Sequence, residues 1–230
     1  MKPQLKILLI AALALLAVAC GGNANLYETR LDGFDNGKRT MKLTYNLTKA
    51  SSQEGASMRI DYLFQFSQGT KVRRSKKRTT LVNADYHMVH TNAVEIRGPG
   101  QTTWDSKIED GFIVTTETKK GGETREVKIP VEGPVYSNVF PLMFYRDLRN
   151  KGDEIAYNIY FEVDEKVAPI KVRYIGETKA YVKSIAVPAR HYQVQMGADS
   201  DDYQDYYLNP QNGKVIKMAF GKIEFLPTTD

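Results

Sequence analysis

From Leu26 onward, apolar and polar side chains alternate with a period of two, the pattern of strands that bury one face and expose the other. Met41, Leu43, Tyr45 and Leu47 alternate with Lys42, Thr44, Asn46 and Thr48, and Met58, Ile60, Tyr62, Phe64 and Phe66 repeat the pattern. These segments read as neighbouring antiparallel strands joined by a loose hairpin over 49–55, which is rich in Ser and Gly. The alternation returns from Ile155 to Val163, Ile170 to Tyr174, Tyr192 to Met196, Ile216 to Phe220 and Ile223 to Phe225. Turn chemistry falls at Asn36-Gly37, Lys120-Gly121-Gly122-Glu123, Gly176-Glu177 and Asn212-Gly213. The pattern predicts about ten to twelve strands in a single domain, since no shift of composition marks a second.

One segment breaks the period. From Pro141 to Arg149, Leu142, Tyr145 and Leu148, with Phe144 beside them, follow a spacing of three and four. Pro141 suits a first helical turn and Gly152 an exit, so a short helix is expected over 141–149. The fold class expected is mainly β: a curled antiparallel meander or half-open barrel with one short helix, its Met, Phe, Tyr and Ile side chains gathered on one concave face.

The amino terminus speaks to compartment. Lys2 and Lys6 precede an apolar run from Ile7 to Leu16, and small residues lead to Cys20-Gly21-Gly22. This is the layout of a secretory signal, and its apolar core is shorter than the roughly 20 residues of a spanning helix. A lone cysteine at that point resembles the cleavage box of bacterial lipoproteins, in which the thiol is joined to diacylglycerol and the signal is cut before it. The expected organisation is a signal peptide over 1–19, a lipidated Cys20 and tether over 20–25, and one β domain over 26–230. Ordinary secretory cleavage that leaves Cys20 free is the alternative. Two or three acyl chains make an anchor effectively permanent, at about 0.8 kcal/mol per buried methylene. By the usual sorting pattern of Gram-negative lipoproteins, Gly21 after the cysteine implies the outer membrane, with the domain facing the periplasm.

The order of segments resembles a family of uncharacterised Gram-negative envelope proteins known as a domain of unknown function. The residues that carry this are Leu26 to Phe34 with Gly37, then Val139 to Leu148, then Val172 to Glu177, Val187 to Tyr192 and Tyr206 to Asn209 before Gly213. That family's fold is similar to the periplasmic lipoprotein carriers, an unclosed barrel around an apolar cavity with a helical lid. The resemblance implies a role with lipids or acylated partners at the envelope.

Composition and motifs narrow the chemistry further. The single cysteine excludes an internal disulfide framework and any CxxC site. The formal charge of +5 includes Lys2 and Lys6 of the signal and is too small to demand nucleic acid. GxSxG, HExxH, P-loop and GxGxxG motifs are all missing from the sequence, so no catalytic residue, metal or cofactor is assigned. His87 and His90 form an HxxH, but residues three apart on a strand face opposite sides and cannot chelate unless the backbone turns. Asp199, Asp201, Asp202 and Asp205 lack the Gly and closing Glu of a calcium loop and read as a solvated connection.

Two groups of residues remain as binding candidates. Lys71, Arg73, Arg74, Lys76, Lys77 and Arg78 form a basic run, either guarding an edge strand against aggregation or, through Arg73, Arg74, Lys76 and Lys77, meeting anionic head groups. The aromatic stock forms either a filled core or an apolar cavity; in the second case Tyr62, Phe64, Phe66 and Phe161 would line it and Phe140, Leu142, Phe144 and Tyr145 would be its lid. The expected function is lipid binding or trafficking by an outer-membrane lipoprotein. Its partners would be the membrane, a lipid or lipoprotein ligand and an envelope protein, and the alternative is an assembly factor that docks through a sheet edge.

Overall fold

The structure is a computed structural model that describes residues 25–50, 55–195 and 202–228. The signal segment, Cys20 and its tether as far as residue 24, and Asp199 and Asp201 of the acidic cluster lie outside the described residues.

Eight strands come first, as an up-and-down meander: β1 (Asn25–Asp35), β2 (Lys38–Lys49), β3 (Met58–Gln68), β4 (Lys71–Val82), β5 (Met88–Arg97), β6 (Gly100–Glu109), β7 (Phe112–Lys119) and β8 (Thr124–Pro130). A connection over 131–140 leads into the helix α1 (Pro141–Asp147). A second meander follows: β9 (Glu154–Phe161), β10 (Lys166–Val182), β11 (Ile185–Gln195), β12 (Tyr203–Leu208), β13 (Val215–Phe220) and β14 (Ile223–Pro227). β14 returns to pair with β1, from Leu31↔Pro227 to Asp35↔Ile223, and so joins the two meanders into one antiparallel sheet of fourteen strands. β8 and β9 are its two end strands, and they do not pair with each other. The expected half-open β architecture is present, with more strands than the alternation alone predicted.

Local chemistry explains most of the register. β2 and β3 pair antiparallel with Leu43 opposite Phe64, Tyr45 opposite Tyr62 and Leu47 opposite Ile60, so the apolar faces of the two alternating segments coincide. Asn36 and Gly37 both take positive φ, the geometry of a tight hairpin turn. The expected turn at Gly176-Glu177 is absent: Gly176 lies inside the 17-residue β10 at a register shift after Tyr174, where its φ of 130° forms a bulge. The chain reverses instead at Lys183-Ser184, two non-glycine residues at φ 47° and 68°, a turn without the usual sequence signal.

The sheet curls until its ends overlap. Tyr160 of β9 shares a 2.7 Å hydroxyl hydrogen bond with Thr115 of β7, and Ser106 of β6 donates to it at 3.4 Å. The free edge of β9 is covered by the connection over 131–140: the Tyr136 N–H donates to the Asn158 carbonyl, and the Tyr160 N–H donates to that of Tyr136.

The helix is shorter than expected, ending at Asp147, and its side chains sit deep. Phe140 packs edge-on against Tyr27 with ring centroids 5.3 Å apart, and Phe144 packs against Tyr192 at 5.0 Å and Tyr206 at 5.4 Å. Phe140, Met143 and Phe144 are fully buried, and each contributes about 1.5–3 kcal/mol on transfer out of water. On the other flank Leu142 and Tyr145 close on Gly213, where an added Cβ would lie 2.9 Å from Leu142 Cδ2 and 2.8 Å from the Tyr145 ring. The Tyr145 hydroxyl donates to the Pro210 carbonyl at 2.8 Å, which fixes α1 to the β12–β13 turn.

Candidate functional site: an interior cavity beside a buried charge cluster

Inside the curl, the two meanders leave a cavity of about 230 Å³. Leu43 and Tyr45 of β2 and Tyr62 and Phe64 of β3 form one wall. Ile159 and Phe161 of β9 and Ile170 of β10 face them, while Gln204, Tyr206, Met218 and Phe225 close the third side and Asn138 and Val139 border it from the connection. Tyr62, Phe64 and Phe161 are therefore brought together as expected. The cavity exceeds the ~150 Å³ in which an apolar protein interior accommodates benzene, and it lies below the ~300 Å³ at which sites for drug-sized ligands begin.

The other expected lining residues are elsewhere. Phe66 lies at the far end of β3, 38% exposed, outside the lining. Phe140, Leu142, Phe144 and Tyr145 do not border the cavity at all. A helix whose apolar face is filled by Tyr27, Tyr192 and Tyr206 is a plug in the core, and the lid expected at 140–145 is corrected accordingly. Spacing picked out Leu148 and, beside it, Phe144 among the buried side chains, but Leu142 and Tyr145 are half-buried, Met143 was missed, and whether space lies beneath them was not shown.

The basic run is also placed differently. β4 lies between β3 and β5 in the interior of the sheet, so its cations do not guard an edge. Alternation splits the run between two faces: Arg73 and Lys77 are exposed, while Arg74, Lys76 and Arg78 turn inward. The four residues expected to meet one head-group layer cannot all do so from opposite faces of a strand. Arg74 instead donates to Glu95 at 2.8 Å, and Lys76 and Arg78 converge on Glu162, the first residue beyond β9.

That convergence was not legible in the sequence. Arg78 Nη2 donates to both Glu162 carboxylate oxygens, at 2.6 and 2.7 Å, and Nη1 donates to the Ser137 carbonyl at 2.8 Å. Lys76 Nζ reaches Glu162 Oε1 at 2.7 Å and stands 6.0 Å over the Trp104 ring. Arg78 Nε is buried and has no partner. Burial alone would raise the Glu162 carboxyl, but the positive charges of Arg78 and Lys76 outweigh it and hold the group at about 2. Burial pushes the Lys76 ammonium down, with Arg78 adding to the effect and Glu162 opposing it. Burial likewise pushes up the phenols of Tyr45, Tyr62 and Tyr206 around the cavity.

The histidines do not converge. His90 pairs with Asp105 at 2.6 Å on β5 and β6, and His191 pairs with Asp205 at 2.7 Å on β11 and β12 while stacking on Tyr207. His87 precedes β5 and meets Tyr136 edge-on. Among the described residues no group of three His, Cys, Asp or Glu side chains could hold a metal ion.

An open antiparallel sheet curled about a small interior cavity defines a β-barrel-like domain. No protein-family model and no curated protein matches the chain. Among solved structures, it is similar to a β-barrel-like protein of the domain of unknown function DUF1849 from Brucella abortus, with a TM-score of 0.53 over 88% of this chain and 95% of that one. At 14% sequence identity the likeness is one of fold.

Proposed function

We propose that the chain is a non-catalytic lipoprotein of the Gram-negative outer membrane, anchored through Cys20, whose half-open β domain holds an acyl chain of a lipid or of a lipidated envelope component. The observation that carries this reading is the cavity between the two meanders, walled by Tyr62, Phe64, Ile159, Phe161 and Ile170. A space of this size, lined by apolar and polar side chains alike, forgoes dispersion contacts that a filled core would make, and an acyl segment laid along its aromatic and aliphatic walls restores them. Only part of a chain fits within 230 Å³, so the remainder lies outside the cavity or enters after repacking of the walls.

The test has two parts. Full chain expressed in a Gram-negative host is expected in the outer-membrane fraction, and Cys20→Ser, with residues 1–19 exchanged for a cleavable non-lipoprotein secretory signal, is expected to release it to the soluble periplasm; a chain so altered that stays in the membrane overturns the anchor. Native mass spectrometry of the released chain is expected to show an added mass of lipid size, diminished by Ile170→Phe, which fills the cavity. A chain that stays free of added mass in the presence of envelope lipids overturns acyl binding. It would then favour docking through β8, whose exposed backbone edge suits an added strand.

A further inference from the structure

The hairpin of β10 and β11 reaches beyond the strands on either side of it. β9 pairs with β10 only as far as Arg173, and β12 pairs with β11 only from Arg190, whereas β10 and β11 stay paired out to Val182↔Ile185. The pairs from Thr178↔Ala189 to Val182↔Ile185 therefore stand as a two-stranded ribbon, about 15 Å long at ~3.4 Å per residue. Ala180 and Ala189 bury against Ile216, with Val182, Val187 and Tyr207 packed around them, so one face of the ribbon is fixed to the domain. Its end is bare. Tyr181 and Ile185 are 64% and 67% exposed, the highest values of any large apolar side chain among the described residues.

The chemistry of this tip suits a membrane interface. From Thr178 to Ala189 the ribbon contains Lys179 and Lys183 and no Asp or Glu. Tyr and Lys both settle at head-group level, since each joins an apolar body to a polar end. Lys183 and Ser184 form the turn at positive φ, 47° and 68°, where Asn or Gly would be unstrained, so a cation stands at the outermost point against backbone preference. The position of the tip in the sheet points the same way. Successive antiparallel pairings lead from β1 through β14, β13, β12 and β11 to β10, so β10 runs opposite to β1 and Val182 lies at the end of the sheet where β1 begins. Asn25, and Leu26 at 47% exposed, are at that same end. The anchor proposed at Cys20 lies just before Asn25 in sequence, separated from it by at most about 17 Å of extended chain.

Resting on the anchored reading above for the position of the bilayer, we propose that the β10–β11 ribbon is a second contact with the membrane surface: Tyr181 and Ile185 enter the boundary between head groups and acyl chains, and Lys179 and Lys183 meet anionic head groups. Each cation near such a surface raises partitioning by about five-fold. A single anchor point does not fix the orientation of a domain, and a second one does. The end of the sheet carrying Asn25 then faces the bilayer, and the opposite end, where Val163 follows β9, faces away from it.

Cys20 is the sole cysteine, so the chain released by Cys20→Ser and the exchanged signal accepts a single probe at a chosen site. On vesicles of phosphatidylethanolamine and phosphatidylglycerol, an environment-sensitive fluorophore on Ile185→Cys is expected to shift to the blue and gain about three-fold in intensity, while the same probe on Val163→Cys is expected to stay as in buffer. In vesicle co-sedimentation, Tyr181→Asp with Ile185→Asp is expected to lower the bound fraction at least five-fold, as is Lys179→Gln with Lys183→Gln. All four side chains are exposed, and an unchanged thermal midpoint in each variant separates loss of contact from loss of fold. An equal response of both probes overturns the orientation, and a silent Ile185 probe overturns the ribbon contact. A blue shift that grows with protein concentration in the absence of vesicles would make the ribbon a contact between copies of this chain, which also overturns the proposal. Because this chain has no acyl anchor, these failures are distinct from failure of the anchor itself, which shows in the fractionation above.

Discussion

Glu162 shows how a single side chain couples distant parts of this fold. Its carboxylate accepts from Arg78 and Lys76 on a strand more than eighty residues earlier in the sequence. Glu162→Gln leaves two cations without their anion, and chemical denaturation is expected to show a loss of about 3–5 kcal/mol, the usual cost of breaking a buried pair. The carboxyl is held at about 2 against an ordinary 4.5, so its stabilisation is complete above pH 4.5 and is lost as the pH falls through about 2. Urea midpoints at pH 7 and pH 3 should therefore fall further in the parent than in Glu162→Gln; parallel declines would show that other groups govern acid unfolding. Tyr160 acts on a smaller scale, since Thr115 and Ser106 also bond to each other at 3.0 Å. Tyr160→Phe is expected to cost about 1 kcal/mol, the net worth of one such hydrogen bond.

At the level of elements, α1 and β4 carry the two largest departures from a reading of pattern alone. The seven-residue helix is too short to stand without tertiary support, and it is held by Phe144 in the core and by Gly213 beneath Tyr145. Phe144→Ala should destabilise the domain by about 3–5 kcal/mol through the cavity it leaves, without selectively weakening any ligand. A lid residue would behave in the opposite way, with affinity falling and thermal midpoint unchanged. Gly213→Ala meets both a positive φ of 68° and the Tyr145 ring, and a cost of about 1–3 kcal/mol is expected in a thermal melt. β4 reads as an edge strand because it is dense in cations, yet it lies in the sheet interior. Its cations are tolerated there because Glu95 and Glu162, supplied by β5 and by the turn after β9, meet those that turn inward.

For the whole molecule, the pairing of β1 with β14 is the seam that makes two meanders one sheet. Removing residues 223–230 takes away that seam, and unfolding monitored by hydrogen exchange is expected to change from one cooperative transition to separate openings of the 25–130 and 154–220 regions. A single transition in the truncated chain would place the unity of the fold in the interior contacts of α1 and β9 instead. The opposite end of the sheet is open, and across it Arg125 of β8 contacts Glu165 in the β9–β10 turn. β8 has few buried side chains and should be the first strand to exchange.

The period of two determined the β class, the β2–β3 pairing and three of the cavity's aromatic walls, because alternation depends only on which face of a strand a side chain occupies. Pro141 and the spacing of Leu142, Tyr145 and Leu148 likewise marked the helix. The closure of β14 on β1, the interior position of β4 and the meeting of Arg78, Lys76 and Glu162 were decided by the tertiary structure alone. Each depends on which strands become neighbours after the sheet curls, and no residue type or local spacing encodes a contact made across more than eighty positions. Whether an inward-facing aromatic fills a core or borders a space is settled the same way, by the volume the opposing strands leave unfilled.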